Sequence, residues 1–461
     1  MRREILVSVI ALFSLDAAQA QDADASHLSL AAGYKAAFTC SAHFNAGRTV
    51  EQIAGDELHR IYPNYREAMA ALPDAVIDED AKRVSVSYAE DFPPRIAQWR
   101  PYLGCAQLPS GASEDMADDL ATVAFADIFG KAPRLHRVLP RDVEGGSVLA
   151  DVVASAFDRA TYGEGTETSA ALVVKDGVII AEQYRDGFGR NVPQRTWSVA
   201  KSIAATIIGA AVEDGLISVD EPAALKAWSS PGDPRGKIRI VDLMHMSSGL
   251  DATPAGNRTD DVYHGGGRVI DHAITRRLIA EPGTRWYYAN NDTMAMMRAL
   301  RERMEDDHAF LVFPFKETLY PIGMLNTFLE TDWNGDFVLS SQVWTTARDL
   351  ARLGLLYLND GVWEGERILP KGWAKFVAAP APDQPRDRRE GENRAGYGAQ
   401  FWLFGERHGL PEGTYAAMGN RGQFLVIIPA RNVLVVRRGF DDGGGFDIVR
   451  FSADVLAALE D

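Results

Sequence analysis

Thr196 to Ser202 reads TWSVAKS, and the reading of this short stretch decides what the rest of the 461-residue chain is. Residues three apart on a helix share one face, so Lys201 would lie one turn behind Ser198 and within reach of its hydroxyl. The following residues favour a helix from Ser198 to about Val212. Ala, Ile and Thr fill it, Thr196 is a candidate N-cap, and Asp214-Gly215 supplies a stop. An ammonium in the first turn is opposed by the helix dipole, and burial against Ile203 and its neighbours disfavours the charged form further. Both effects bring the lysine toward the range in which a neutral amine can take up a proton. The Ser198 N–H, pointing out of that turn, is placed to help hold an oxyanion. By itself the stretch has a plainer reading, a lysine snorkelling off an amphipathic helix, because Ser-x-x-Lys arises by chance about once in a chain of this length.

Two downstream segments change the balance. Ile238 to Leu250 reads IRIVDLMHMSSGL, an apolar helix running into a Ser-Ser-Gly loop. Glu281 to Asn291 reads EPGTRWYYANN, a Pro-Gly turn followed by Tyr288-Ala289-Asn290. The tyrosine can relay a proton and the asparagine amide can hold a substrate carbonyl. Further on, GDFVLSSQVWTTARDLARLGLLYLNDGVWEGERILP starts at Gly335, YGAQFWL starts at Tyr397, and a Gly-x-x-Gly-Gln segment runs into a C-terminal hairpin.

In this order the motifs resemble the beta-lactamase-related serine hydrolases, a superfamily that includes class C beta-lactamases, D,D-carboxypeptidases, family VIII esterases and 6-aminohexanoate-dimer hydrolases. The Gly335 and Tyr397 stretches are most similar to the last of these. The resemblance covers roughly residues 146 to 461. It implies an α/β fold of the α+β type, in which both ends of the catalytic domain build one antiparallel sheet around a helical insertion. It also implies roles: Ser198 attacks and forms an acyl-enzyme, Lys201 activates it, Tyr288 shuttles the proton, and Asn290 orients the substrate. The third family motif is usually Lys-Thr-Gly or a His-containing variant; the matching segment here reads Asn420-Arg421-Gly422, followed by Gln423. Gly422 fits a close backbone approach to a ligand, and the Gln423 N–H would complete an oxyanion hole with that of Ser198. The site thus lacks the usual cation for a substrate carboxylate unless Arg421 supplies it. This places small esters and linear amides ahead of beta-lactams and D,D-peptides as substrates. A penicillin-recognising enzyme and a catalytically silent binding relative are the alternatives.

The rest of the sequence bounds these expectations. A formal net charge of -16 argues against nucleic acid or an anionic membrane as a partner, because such a field repels polyanions. Arg2 and Arg3, an apolar run from Ile5 to Leu15 and Ala18-Gln19-Ala20 read as a secretory signal peptide over residues 1 to 20. The product is then periplasmic or secreted, without stable membrane insertion once cleaved. In such a compartment Cys40 and Cys105 are either bridged or two buried thiols.

Residues 21 to 145 read as an N-terminal extension of unknown role, with a helix near Val50 to Arg60 and strand-like Arg83 to Tyr88. Residues 146 to 461 read as the catalytic domain, opening with a helix from Val148 to Arg159 and closing with one from Asp447 to Leu459. Lys175-Asp176-Gly177 and Pro429-Ala430-Arg431-Asn432 are hairpin turns. His264-Gly265-Gly266-Gly267 lacks an accompanying Gly-x-Ser-x-Gly elbow and reads as a flexible loop near the pocket mouth. His264 and His272 have no HExxH or thiolate context that would make a metal site. Gly443-Gly444-Gly445 reads as a turn, and Trp197, Trp286 and Trp344 as core or pocket-wall residues. No cofactor is implied, the reacting partner is a small ester or amide, and the oligomeric state is not specified.

Overall fold

The computed structural model describes residues 25–59, 63–129, 148–252, 261–387, 393–442 and 445–460. The expected signal peptide, the boundary at 145/146 and Gly443-Gly444 lie outside the described residues.

The N-terminal region opens with a helix over 25–40 that continues as a wider turn through Ser41–Asn45. A four-stranded antiparallel sheet follows, formed in sequence order by β1 (Val76–Asp78), β2 (Arg83–Val86), β3 (Arg95–Arg100) and β4 (Gly104–Gln107). A disulfide between Cys40 and Cys105 ties the helical segment to β4.

Next come β5 (Thr168–Lys175) and β6 (Val178–Tyr184), joined by a turn in which Asp176 and Gly177 both have positive φ, 50° and 80°. That backbone matches the right-handed twist of the flanking strands, which is why Asp-Gly marks a tight hairpin. Short strands β7 (Gln194–Arg195), β8 (Phe328–Leu329) and β9 (Val343–Thr345) form a small sheet in the order β7-β9-β8, and β10 (Val362–Trp363) pairs with β11 (Glu366–Arg367). The chain then returns through β12 (Gly396–Tyr397), β13 (Trp402–Phe404), β14 (Thr414–Gly419), β15 (Gln423–Ile428) and β16 (Val433–Gly439).

The principal sheet is seven-stranded and antiparallel, in the order β12-β13-β14-β15-β16-β5-β6. The last strand of the chain, β16, therefore lies beside β5, Val435 opposite Val173, with the mostly helical segment inserted between them. This is the expected construction. Strand β5 is buried on both faces because helices cover both sides. Ala171 and Val173 join a cluster with Leu149, Val153, Phe451 and Val455 from the helices Val148–Ser155 and Ile448–Ala458. Ala170, Leu172 and Val174 face the other way, toward the helices Val199–Glu213 and Ala347–Leu358. At Gly354 an added Cβ would stand 2.9 Å from Leu434, so a side chain there would push the helix off the sheet.

The first helix of this region is shorter than its composition suggests. It stops at Ser155, and Asp158 then accepts from the N–H groups of Ala160 and Thr161, offering the backbone a turn in place of another helical step. The core does not divide near residue 145 either. One continuous buried cluster takes Ala31, Phe38, Val84, Ala97 and Leu103 together with Val199, Ile203, Leu339, Leu425 and Val436. Among the described residues no helix is long and apolar enough to cross a membrane.

Candidate active site

Ser198 stands where β7 hands over to the Val199–Glu213 helix. The turn is sharp: Trp197 has φ 50°, a left-handed conformation that costs a non-glycine residue on the order of 1–3 kcal/mol and persists only where its surroundings enforce it. Thr196 does not cap the helix through its side chain. Ser198 occupies the cap position, and the first amides are satisfied by carbonyls of the turn, Val199 to Thr196, Ala200 to Trp197 and Lys201 to Ser198.

Lys201 is 1% exposed, one helical turn behind the serine. Its Nζ donates to Asn290 Oδ1 and to the Ser340 carbonyl, each at 2.7 Å, and lies 3.3 Å from Ser198 Oγ. Burial brings its pKa down to about 7, so a large share of neutral amine exists at ordinary pH. A neutral amine has two N–H bonds and one lone pair. The two fixed acceptors take the N–H bonds, which leaves the lone pair toward the Ser198 hydroxyl.

Tyr288 closes the other side. Its phenol hydrogen-bonds with the Ser198 side chain, its ring centroid lies 5.1 Å from Lys201 Nζ, and burial pushes its pKa up to about 12. At neutral pH the group is therefore a phenol and not a phenolate.

The two downstream segments hold this tyrosine in place. Tyr287 N–H donates to the Met246 carbonyl and Gly283 N–H to that of Ser247, both at 2.8 Å. Ser248 Oγ donates to Asp292 Oδ1 at 2.7 Å, fastening the Ser-Ser-Gly loop to the helix Asn290–Arg301 that Asn290 opens. Gly249 has φ 77° and packs directly on the Ala280 carbonyl, a place with no room for a side chain. Trp286, Tyr397 and Trp402 surround Tyr288 with ring centroids 6.4, 6.0 and 5.5 Å away, an aromatic wall over the site.

The residue against Ser198 is Gly419, the last of β14, where an added Cβ would lie 3.1 Å from Ser198 N. Asn420, Arg421 and Gly422 form the turn that follows. Asn420 is exposed. The Arg421 guanidinium donates to the main-chain carbonyls of Asp56, His59 and Phe440, which latches this turn to the N-terminal region. Gly422, φ 76°, is crowded by the Arg437–Asp441 ion pair, so its small size makes room for that pair. The Gln423 side chain donates to the Arg421 and Gly439 carbonyls and accepts from Arg438, a structural set of bonds. His264 is not on a flexible loop: it lies in a helical turn over Asp261–Gly265, 4% exposed, stacked against Tyr34 and Tyr65. Among the described residues no group of three or more His, Cys, Asp or Glu could hold a metal ion.

Sequence reasoning missed three contributors. Ser340, whose carbonyl holds Lys201, lies inside the quoted Gly335 stretch, but a main-chain acceptor leaves no side-chain signature. Gln400 is 2% exposed and donates to the Leu243 and Met244 carbonyls; its Oε1 accepts from Thr293, and its own carbonyl from Ser202. It bolts three site elements together. Gly419 belongs to the quoted Gly-x-x-Gly-Gln pattern, whose first glycine is the one that packs against Ser198.

The sequence model of the beta-lactamase family matches residues 94–437. The chain belongs to the beta-lactamase family. Its relatives include the 6-aminohexanoate-dimer hydrolase of Paenarthrobacter ureafaciens, 25% identical over 293 residues, which cover 59% of this chain and 73% of that one. Among solved structures, EstCE1, a hydrolase with promiscuous acyltransferase activity, superposes with a TM-score of 0.53 at 16% identity, covering 68% of this chain and 99% of that one. A family VIII carboxylesterase gives 0.52 at 15%, covering 68% and 95%. At such identities the structural likeness shows the shared fold. The family match starts at residue 94, inside the N-terminal region and one residue before β3.

Proposed function

We propose that this member of the beta-lactamase family is an exported serine hydrolase that cleaves small esters or linear amides through an acyl-enzyme on Ser198. The observation that carries the reading is the environment of Lys201: a buried amine with two fixed acceptors and its remaining direction on the Ser198 hydroxyl. Ser198 Oγ attacks the substrate carbonyl carbon while its proton passes to Lys201 Nζ. The Ser198 N–H and a main-chain amide of the adjoining Gly419–Gln423 turn hold the oxyanion. As the bond to the leaving group breaks, the Tyr288 hydroxyl passes a proton to the departing oxygen or nitrogen. Water then enters along the reverse proton path, adds to the acyl ester, and releases the acid and free Ser198. Asn290 holds the base and orients the substrate carbonyl.

The substrate class follows from charge. No Lys or His occupies position 420, and Arg421 is engaged by three carbonyls of the protein, which favours substrates without a carboxylate at that edge. The aromatic wall suits an apolar acyl or alkyl group. The relative that carries the name of a linear-amide hydrolase agrees with this class. The Cys40–Cys105 disulfide agrees with export to an oxidising compartment. The test is hydrolysis of p-nitrophenyl butyrate by the protein and by Ser198→Ala. Turnover that vanishes in the variant supports the reading, and equal turnover in both removes Ser198 as nucleophile.

A further inference from the structure

The N-terminal region contributes no residue to the proposed chemistry, yet a row of stacked rings leads from it to the residue before Ser198. His27 stacks on Tyr65 (4.6 Å between centroids), Tyr65 on His264 (4.4 Å), His264 on Tyr34 (4.9 Å) and Tyr34 on Phe38 (3.9 Å). The row then meets Arg195, whose guanidinium carbon lies 4.2 Å from the Phe38 centroid on one side and 3.6 Å from that of Trp197 on the other. Arg195 is 1% exposed, and its Nη1 and Nη2 have no hydrogen-bond partner among the described residues. Tyr263 adds a third ring face at 4.7 Å, while Arg195 Nε donates to the Ser341 carbonyl and the buried carboxyls of Glu57 and Glu330 lie within electrostatic reach.

The row ends at the residue that needs support. Trp197 is held in the left-handed conformation immediately before Ser198; its carbonyl accepts from the Ala200 N–H and the Thr196 hydroxyl, and its ring is covered by the Arg195 guanidinium. A branch reaches the base as well. Tyr263 hydrogen-bonds with Ser341, the neighbour of Ser340, whose carbonyl accepts from Lys201. On the far side of the site, the carbonyls of Asp56 and His59 hold Arg421 in the turn after Gly419. His27, Tyr34, Phe38 and Tyr65 all precede the span matched by the family.

We propose that the N-terminal region is a positioning part of the active site, with Phe38 and Arg195 as positioning residues that clamp Trp197 and so fix the attack geometry of Ser198. This rests on Ser198 being the nucleophile. The clamp requires a ring face at position 38, and apolar bulk alone is not enough.

The test compares Phe38→Leu, which keeps bulk without a ring, with Phe38→Tyr, which keeps the face. Readouts are the rate at which a fluorophosphonate labels Ser198, kcat and KM for p-nitrophenyl butyrate, and amide hydrogen exchange of the 196–202 segment. Phe38→Leu should lower the labelling rate and kcat by about 10- to 100-fold with little change in KM, and speed exchange in that segment, because small displacements of a nucleophile are costly. Phe38→Tyr should stay close to the parent. If Phe38→Leu does not fold, Arg195→Lys, which loses the planar stack, should show the same pattern. Unchanged labelling and unchanged exchange in a folded Phe38→Leu protein would overturn the proposal. A parent protein that resists the label defeats the nucleophile reading instead, and exchange at 196–202 still decides whether the clamp exists.

Discussion

Lys201 and Tyr288 share one pocket, and burial acts on them in opposite directions, lowering the lysine to about 7 and raising the tyrosine to about 12. This divides their labour: the amine is the group that changes charge near neutrality, and the phenol remains a donor. Only the neutral amine can accept the Ser198 proton, so kcat/KM should rise with pH along a single limb and level off above about 7. Tyr288 should add no descending limb of its own in the neutral range. A pH–rate profile whose ascending limb lies near the ordinary lysine value would show that burial does not bring Lys201 down toward neutrality. Tyr288→Phe keeps the ring against Trp402 and Lys201 but removes the hydroxyl, so kcat should fall by about 10²- to 10⁴-fold with KM nearly unchanged. Steady-state kinetics of that variant check it. That Ser198, Lys201, Tyr288 and Asn290 come together was legible in the sequence because side-chain type and local spacing mark them. Arg421, Gly422 and the Gln423 side chain have partners that the sequence does not show. Their types suit a ligand edge, but what they meet is the Asp56 and His59 carbonyls, the Arg437–Asp441 pair and Arg438, all distant in sequence.

At the scale of elements, the site is a junction of one helix start, two loops and one strand end, and Gln400 is the piece that joins them. Its side chain satisfies carbonyls at the end of the Ile240–Met244 helix, and its own carbonyl accepts from Ser202 on the Val199–Glu213 helix. Gln400→Ala would strand buried acceptors, so stability should fall by about 2–4 kcal/mol, read by urea unfolding, with activity falling as well. A near-zero change would mean the three elements hold together without it. Elements with a strong period or a marked turn were readable in advance: the Ala347–Leu358 helix, the Asp176-Gly177 hairpin, and the pair β15–β16. The helical turn over Asp261–Gly265 was not. Three glycines following a histidine suggest mobility, and the packing of His264 between Tyr34 and Tyr65, with hydrogen bonds from Arg95 to the His264 carbonyl and from Trp333 to that of Gly266, overrides it.

Over the whole molecule, the sheet built from both chain ends was legible because its hairpins flank a long helical stretch. The way the N-terminal region joins the core was not, since the contacts of Ala31 or Phe38 with residues beyond 190 leave no local pattern. A shared core means shared stability. The Cys40–Cys105 bridge, separated by 65 residues, should contribute about 4 kcal/mol through the unfolded chain. The double change Cys40→Ser with Cys105→Ser should lower the unfolding free energy of the whole protein in one transition. Separate transitions for the N-terminal region and the remainder would contradict the shared core. The central claim, an acyl-enzyme on Ser198, is tested most directly by acid-quenching the protein during turnover of p-nitrophenyl butyrate and mapping the butyryl mass by peptide spectrometry. The account predicts the butyryl group on the Thr196–Lys201 peptide, at Ser198; hydrolysis that proceeds with the acyl group on another residue, or on none, would contradict it.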